Sequence, residues 1–101
     1  MAHEALHEER DDLKKKTVDM HRALISLIEE LEAVDWYAQR VDACRNDELE
    51  AILAHNRDEE KEHAAMLLEW IRRQDPAFES ELRDYLFTDK PIAELEHEHK
   101  D

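Results

Sequence analysis

From Leu13 to Val41, water-avoiding side chains recur at alternating steps of four and three: Leu13, Met20, Leu24, Leu27, Leu31, Val34, Ala38 and Val41, with Thr17 in the one remaining slot. Such a run is a heptad seam. It predicts one long helix whose stripe must be packed against another helix. That first helix is expected over about residues 6–44. Cys44-Arg45-Asn46-Asp47 interrupts the pattern; Asn46 or Asp47 can cap a new helix, with Glu48 and Glu50 in its first turn. The second helix is expected over about 47–74, with the seam Leu49, Leu53, Asn56, Glu60, His63, Leu67 and Trp70, widened by Ile52, Met66 and Ile71. Asp75-Pro76 reads as a cap followed by the first position of a short helix over about 76–87, with Phe78, Leu82, Tyr85 and Leu86 on its apolar face. Thr88-Asp89-Lys90-Pro91 ends it, and the charged tail over 91–101 is expected to be mobile.

Glycine is absent from the 101 residues, which argues against sheets built on tight hairpins. The expected fold class is all-α: a long antiparallel two-helix hairpin plus a short C-terminal helix, one domain over residues 1–101. Arms of this length reach about 40–55 Å. Charged residues make up 42% of the chain and aromatics 6%, too little material for two helices to enclose a core. Two hairpins dimerising into a four-helix bundle would solve that problem.

A net charge of −14 disfavours nucleic acid and anionic membrane as partners and favours cations, although solubility alone accounts for most such surfaces. Cys44 is the single cysteine, so no intramolecular disulfide is possible. The opening MAHEALHEER has no apolar core of the kind a leader needs, and no apolar run approaches the roughly 20 residues that span a bilayer. A soluble, intracellular protein is expected.

The second helix breaks the rule that seams are apolar. Glu60 and His63 occupy consecutive inward positions between Leu53 and Leu67. A carboxylate there is costly unless paired or metal-bound. At i and i+3 the two side chains share one helical face and can reach one ion. The hairpin turn centres near residues 45 and 46, so Glu30 and Glu60, each about fifteen residues from it, stand level across the hairpin. One chain therefore offers Glu30, Glu60 and His63 to a single point. A di-metal carboxylate site takes a Glu from each of two helices and a Glu-x-x-His from each of two others. Each chain holds half of that set, and a two-fold axis supplies the rest.

Across Glu29-Glu30-Leu31-Glu32-Ala33-Val34-Asp35-Trp36-Tyr37, Ala54 to Met66, Leu68-Glu69-Trp70 and Tyr85-Leu86-Phe87-Thr88, the chain closely resembles the encapsulated ferritins. The resemblance covers most of residues 14–92. It implies a half-ferritin that dimerises and assembles into an annular decamer. It implies a ferroxidase that oxidises Fe(II) with dioxygen at a di-iron centre across the dimer interface. Glu30, Glu60 and His63 would be the iron ligands, and Tyr37 would lie beside the centre. Glu29 and Glu32, with Trp36 adjacent, would form an outer site that draws in metal ions, calcium being a candidate occupant. The same resemblance implies an encapsulin shell as partner, a cytoplasmic location inside that nanocompartment, and iron mineral as the stored product. Members generally end in a short, partly apolar targeting peptide; the tail Pro91 to Asp101 is acidic and polar and shows none.

Blander readings stand beside these. Glu-x-x-His arises by chance in a Glu-rich helix, as Glu59-Glu60-Lys61-Glu62-His63 illustrates. Manganese or zinc would suit the same ligands. A non-catalytic metal-binding or structural helical assembly would account for the heptads and the charge. Glu29 and Glu32 can be exposed acids, and Trp36 and Tyr37 interface packing. His55-x-x-x-Glu59 has hemerythrin spacing, but His21 alone does not supply the further helical histidines. His97 and His99 read as solvated tail residues.

Overall fold

The structure, a computed structural model, describes residues 6–100. The expectations that bear on residues 1–5 and 101, the absence of a leader and the outer limits of the domain, lie outside the described residues. Four α-helices follow a short 3-10 turn over Arg10–Asp12: α1 Lys15–Ala43, α2 Asp47–Gln74, α3 Pro76–Tyr85 and α4 Ile92–Lys100. Among the described residues there is no strand. No helix is long and apolar enough to cross a membrane.

α1 starts at Lys15, not near residue 6. Its start is not locally favoured. Lys14 caps without a side-chain hydrogen bond, and no acidic residue stands in the first turn. The reason lies across the hairpin. α2 ends at Gln74, level with the first residues of α1, and a helix extended further back would have no partner to pack on. At about 1.5 Å per residue, 29 residues make an arm of about 43 Å.

The Cys44–Asn46 connection reverses the chain. The Asn46 side chain accepts a hydrogen bond from the Leu49 amide, and Asp47, Glu48 and Glu50 fill the first turn of α2. Asp75 does the same for α3, accepting from the amides of Ala77 and Phe78, with Pro76 at the first helical position. An ionic clamp then ties α3 to α2. Arg72 on α2 donates to Glu69 on its own helix and to Glu79 on α3, and Glu79 also accepts from Arg83.

Two departures mark the C-terminal part. α3 stops at Tyr85, two residues early, because Leu86 turns extended and Phe87 takes a left-handed φ of 60°. The Thr88 hydroxyl donates to the Tyr85 carbonyl and stabilises that reversal. The segment expected as a mobile tail instead holds the helix α4 over Ile92–Lys100. Its residues are good helix formers, and Leu95, only 3% exposed, anchors it.

The single chain buries Val18, Ala23, Ala64 and Ile71. Leu24 and Leu31 of the heptad seam are exposed, as are Ile28 on α1 and Leu49, Ile52, Met66 and Trp70 on α2. The hairpin therefore divides its apolar residues between a narrow internal contact and an outward face that one chain leaves uncovered.

Candidate metal centre

Glu30 projects from the middle of α1, and Glu60 and His63 from the middle of α2. His63 Nδ1 lies 3.6 Å from Glu30 Oε2 across the hairpin and 3.6 Å from Glu60 Oε2 one turn away on its own helix. Both distances exceed a hydrogen bond. One donor atom from each of the three residues falls within 4.8 Å of the others, and among the described residues this is the one group of three or more His, Cys, Asp or Glu so disposed. First-row ions bind such donors at about 2.0–2.2 Å, so donors on opposite sides of an ion stand about 4 Å apart. A small inward shift of rotamers closes the difference.

Burial is graded. The Glu30 and Glu60 side chains are 25% and 23% exposed, and the imidazole of His63 is 45% exposed. Glu30 Oε2 is itself buried and has no hydrogen-bond partner among the described residues. A buried carboxylate oxygen without a donor calls for a proton or a cation. Two carboxylates converging on the same imidazole nitrogen make a cation the better answer, and their donor set of two oxygens and one nitrogen suits a divalent first-row metal. The open side is occupied by the half-exposed imidazole, at helical spacing from the uncovered Met66. An ion held here would keep coordination positions facing away from the chain.

The structure brings Glu30, Glu60 and His63 together. Glu29 is exposed and Glu32 half-buried on α1, and they join no three-residue cluster among the described residues. Trp36 is exposed. Tyr37 is half-buried, with the Arg40 guanidinium 5.3 Å from its ring centroid, a cation–π contact that the heptad pattern does not reveal although the i, i+3 spacing permits it. His55 faces Glu59 at 3.5 Å on the surface of α2, and among the described residues the pair belongs to no group of three such ligands. His99 is not a free tail residue, since its Nδ1 lies 3.6 Å from Asp84 on α3. Sequence reasoning missed this because it leaves the tail without a helix. Cys44 is free, its thiol 3.5 Å from the Asn46 carbonyl.

Fold and cluster together define an all-α, ferritin-like hairpin that carries a carboxylate–imidazole group at the midpoint of its two long arms. The profile of the EncFtn-like family matches residues 5–89, and the chain belongs to that family. It is 63% identical over 90 residues to an encapsulated ferritin-like protein of Rhodospirillum rubrum, an alignment covering 89% of this chain and 64% of the relative. The chain thus spans a little under two thirds of that relative's length. A ferritin-like protein of Thermotoga maritima is 58% identical over 92 residues, covering 91% of this chain and 81% of the relative. A crystal structure of a Nitrosomonas europaea protein superposes with a TM-score of 0.86 at 72% identity, covering 88% of this chain and 98% of that one.

Proposed function

We propose that the protein is a ferroxidase whose di-iron site is completed by pairing two copies of the chain. The observation that carries this reading is the convergence of Glu30, Glu60 and His63 within 4.8 Å, with a buried Glu30 oxygen that accepts no hydrogen bond from the described residues among them. Three donors hold one ion incompletely. A second copy related by a two-fold axis would bring three more, giving two Glu and two Glu-x-x-His sets around two ions. The uncovered apolar residues Leu24, Ile28, Leu31, Ile52 and Met66 supply the surface for that pairing.

Iron is the substrate here. Ferrous ions would be drawn in by the acidic surface, for which Glu29 and Glu32 beside Trp36 are the candidate outer site, open to calcium as well. Each bound ferrous ion gives up one electron, and the pair delivers two electrons to one dioxygen. The two copies' Glu60 carboxylates would lie nearest the axis and, with Glu30 and His63, would hold the ions, and Tyr37 would lie beside the centre. A bundle of four helices encloses no room for mineral, so the ferric product must be stored elsewhere. Membership of the EncFtn-like family and the encapsulated relative support an encapsulin shell as that place, with the chain as a ring-forming oligomer inside it.

Stopped-flow oxidation of Fe(II) by oxygen, after anaerobic loading, tests the reading. Glu30→Ala, Glu60→Ala and His63→Ala should each abolish the fast phase. Near-normal rates in all three variants would rule the assignment out. Zinc bound at the same ligands should block oxidation, since it has no accessible redox step. Binding without oxidation of any metal would leave the chain a metal-holding assembly protein.

A further inference from the structure

The Glu30, Glu60 and His63 cluster lies midway along the arms, so two directions of pairing bring it against its copy. A two-fold axis along the arms sets hairpin tip beside tip and open end beside open end. An axis across the arms sets each tip against the open end of the other copy. The two ends of the hairpin decide between them.

Both ends present features on the face of the cluster. At about 100° per residue, Leu49, Glu60, His63 and Trp70 fall within about 80° of one another around α2. Leu49, near the tip, is 48% exposed and stands about 19 Å before the midpoint of Glu60 and His63. About 13–19 Å beyond that midpoint, the end of α2 and the start of α1 border a groove of about 390 Å³, lined in part by Lys16, Thr17, Met20, Trp70, Gln74 and Pro76. An uncovered leucine and a groove floored by Met20 and Trp70 therefore lie at matching distances on opposite sides of the cluster.

The charges are arranged in the same sense. Lys14, Lys15 and Lys16 are exposed at the start of α1, whose first turn holds no acid, although that end of a helix favours anions. In a chain of net charge −14 this run of lysines stands out. Of the acids near it, Asp19 accepts from Arg22 and Asp75 caps α3, which leaves Asp11 and Asp12 in the preceding 3-10 turn. The tip is acidic. Asp47, Glu48 and Glu50 open α2, Asp42 closes on them from the end of α1, and Arg45 is the cation of the connection.

We infer that the two copies pack antiparallel, the tip of each seated at the open end of the other, with Asp47, Glu48 and Glu50 facing Lys14, Lys15 and Lys16 and Leu49 entering the groove beside Trp70. This rests on the pairing proposed above and adds its direction. With the axis along the arms, acids would meet acids at one end and lysines would meet lysines at the other, both repulsive. With the axis across them, each contact is attractive and is made twice. The lysines that α1 carries against its own dipole then have anions opposite them.

Zero-length carbodiimide cross-linking of the full chain in the presence of calcium, with the linked peptides read by mass spectrometry, tests the direction. Links should join Lys14, Lys15 or Lys16 to Asp47, Glu48 or Glu50. Within one chain these groups are about 40 Å apart, so such a link can form only between copies. The variant Lys14→Glu/Lys15→Glu/Lys16→Glu, whose charges suit a helix start, should keep its helix content and pair about tenfold more weakly by light scattering. Mixing it with Asp47→Lys/Glu48→Lys/Glu50→Lys should restore pairing, because each mixed pair again sets acids against lysines at both contacts. Copies that pair without these links, or undiminished pairing in the lysine variant, would overturn the antiparallel direction and leave the split site standing. Failure of the unaltered copies to pair at all would overturn both.

Discussion

Glu30 is the residue on which the site turns. Its Oε2 is buried without a hydrogen bond from the described residues, and Glu60 shares the same small volume, so the metal-free hairpin holds two carboxylates close together with one imidazole between them. Glu30→Gln keeps the shape and removes one charge. In the metal-free protein its thermal stability should equal or exceed that of the unaltered chain. A divalent cation at about a hundred times its dissociation constant should raise the stability of the unaltered chain by about 2.7 kcal/mol. The variant should keep less than half of that gain; an equal gain, measured by thermal unfolding with and without the ion, would place the metal elsewhere. Glu60 and His63 were legible in the sequence because they break an apolar phase, and Glu30 because it stands as far from the turn as Glu60 does. The approach of both carboxylates to His63 Nδ1 was not legible, nor was Arg40 over Tyr37, because side-chain direction depends on how the two helices rotate against each other.

Among the elements, α2 occupies the span its seam and cap suggest, whereas the first, third and fourth helices differ in their limits or their existence. A heptad tells where a helix can pack but not where its partner ends, and it is the end of α2 that sets the start of α1. Neither the left-handed Phe87 nor the docking of Leu95 has a local signal in a chain without glycine. The junction of α2 and α3 carries two predictions. Asp75→Ala removes a cap that serves two amides and should cost about 1 kcal/mol, lowering the midpoint of thermal unfolding by several degrees. Next to it, hydrogen bonds from Arg72 and Arg73 hold the Glu69 carboxyl down to about 2 from its ordinary 4.5. A carboxyl depressed in the folded state adds stability that is present above pH 4.5 and lost as the pH falls toward 2. Acid titration followed by circular dichroism should therefore show a weakening over that window, and Glu69→Gln should flatten it. An unchanged acid limb in the variant would mean that other carboxylates carry the transition.

At the scale of the whole molecule, one chain is an incomplete object in two ways. It leaves an apolar face uncovered on the long arms, and it offers an ion three donors on one side only. The proposed pairing of two copies would resolve both at once. It would also set carboxylates of two copies against each other, which a bound cation would neutralise. Light-scattering mass should accordingly rise when ferrous iron or calcium is added and fall toward the single chain under a chelator; equal masses would separate assembly from metal binding. The most direct measurement is a crystal grown with ferrous iron under anaerobic conditions, with diffraction recorded on both sides of the iron absorption edge. A split site requires two anomalous peaks related to each other by a molecular two-fold axis, each within bonding distance of Glu30, Glu60 or His63 side chains from both copies. Iron bound wholly within one chain, or bound only at Glu29 and Glu32, would contradict it.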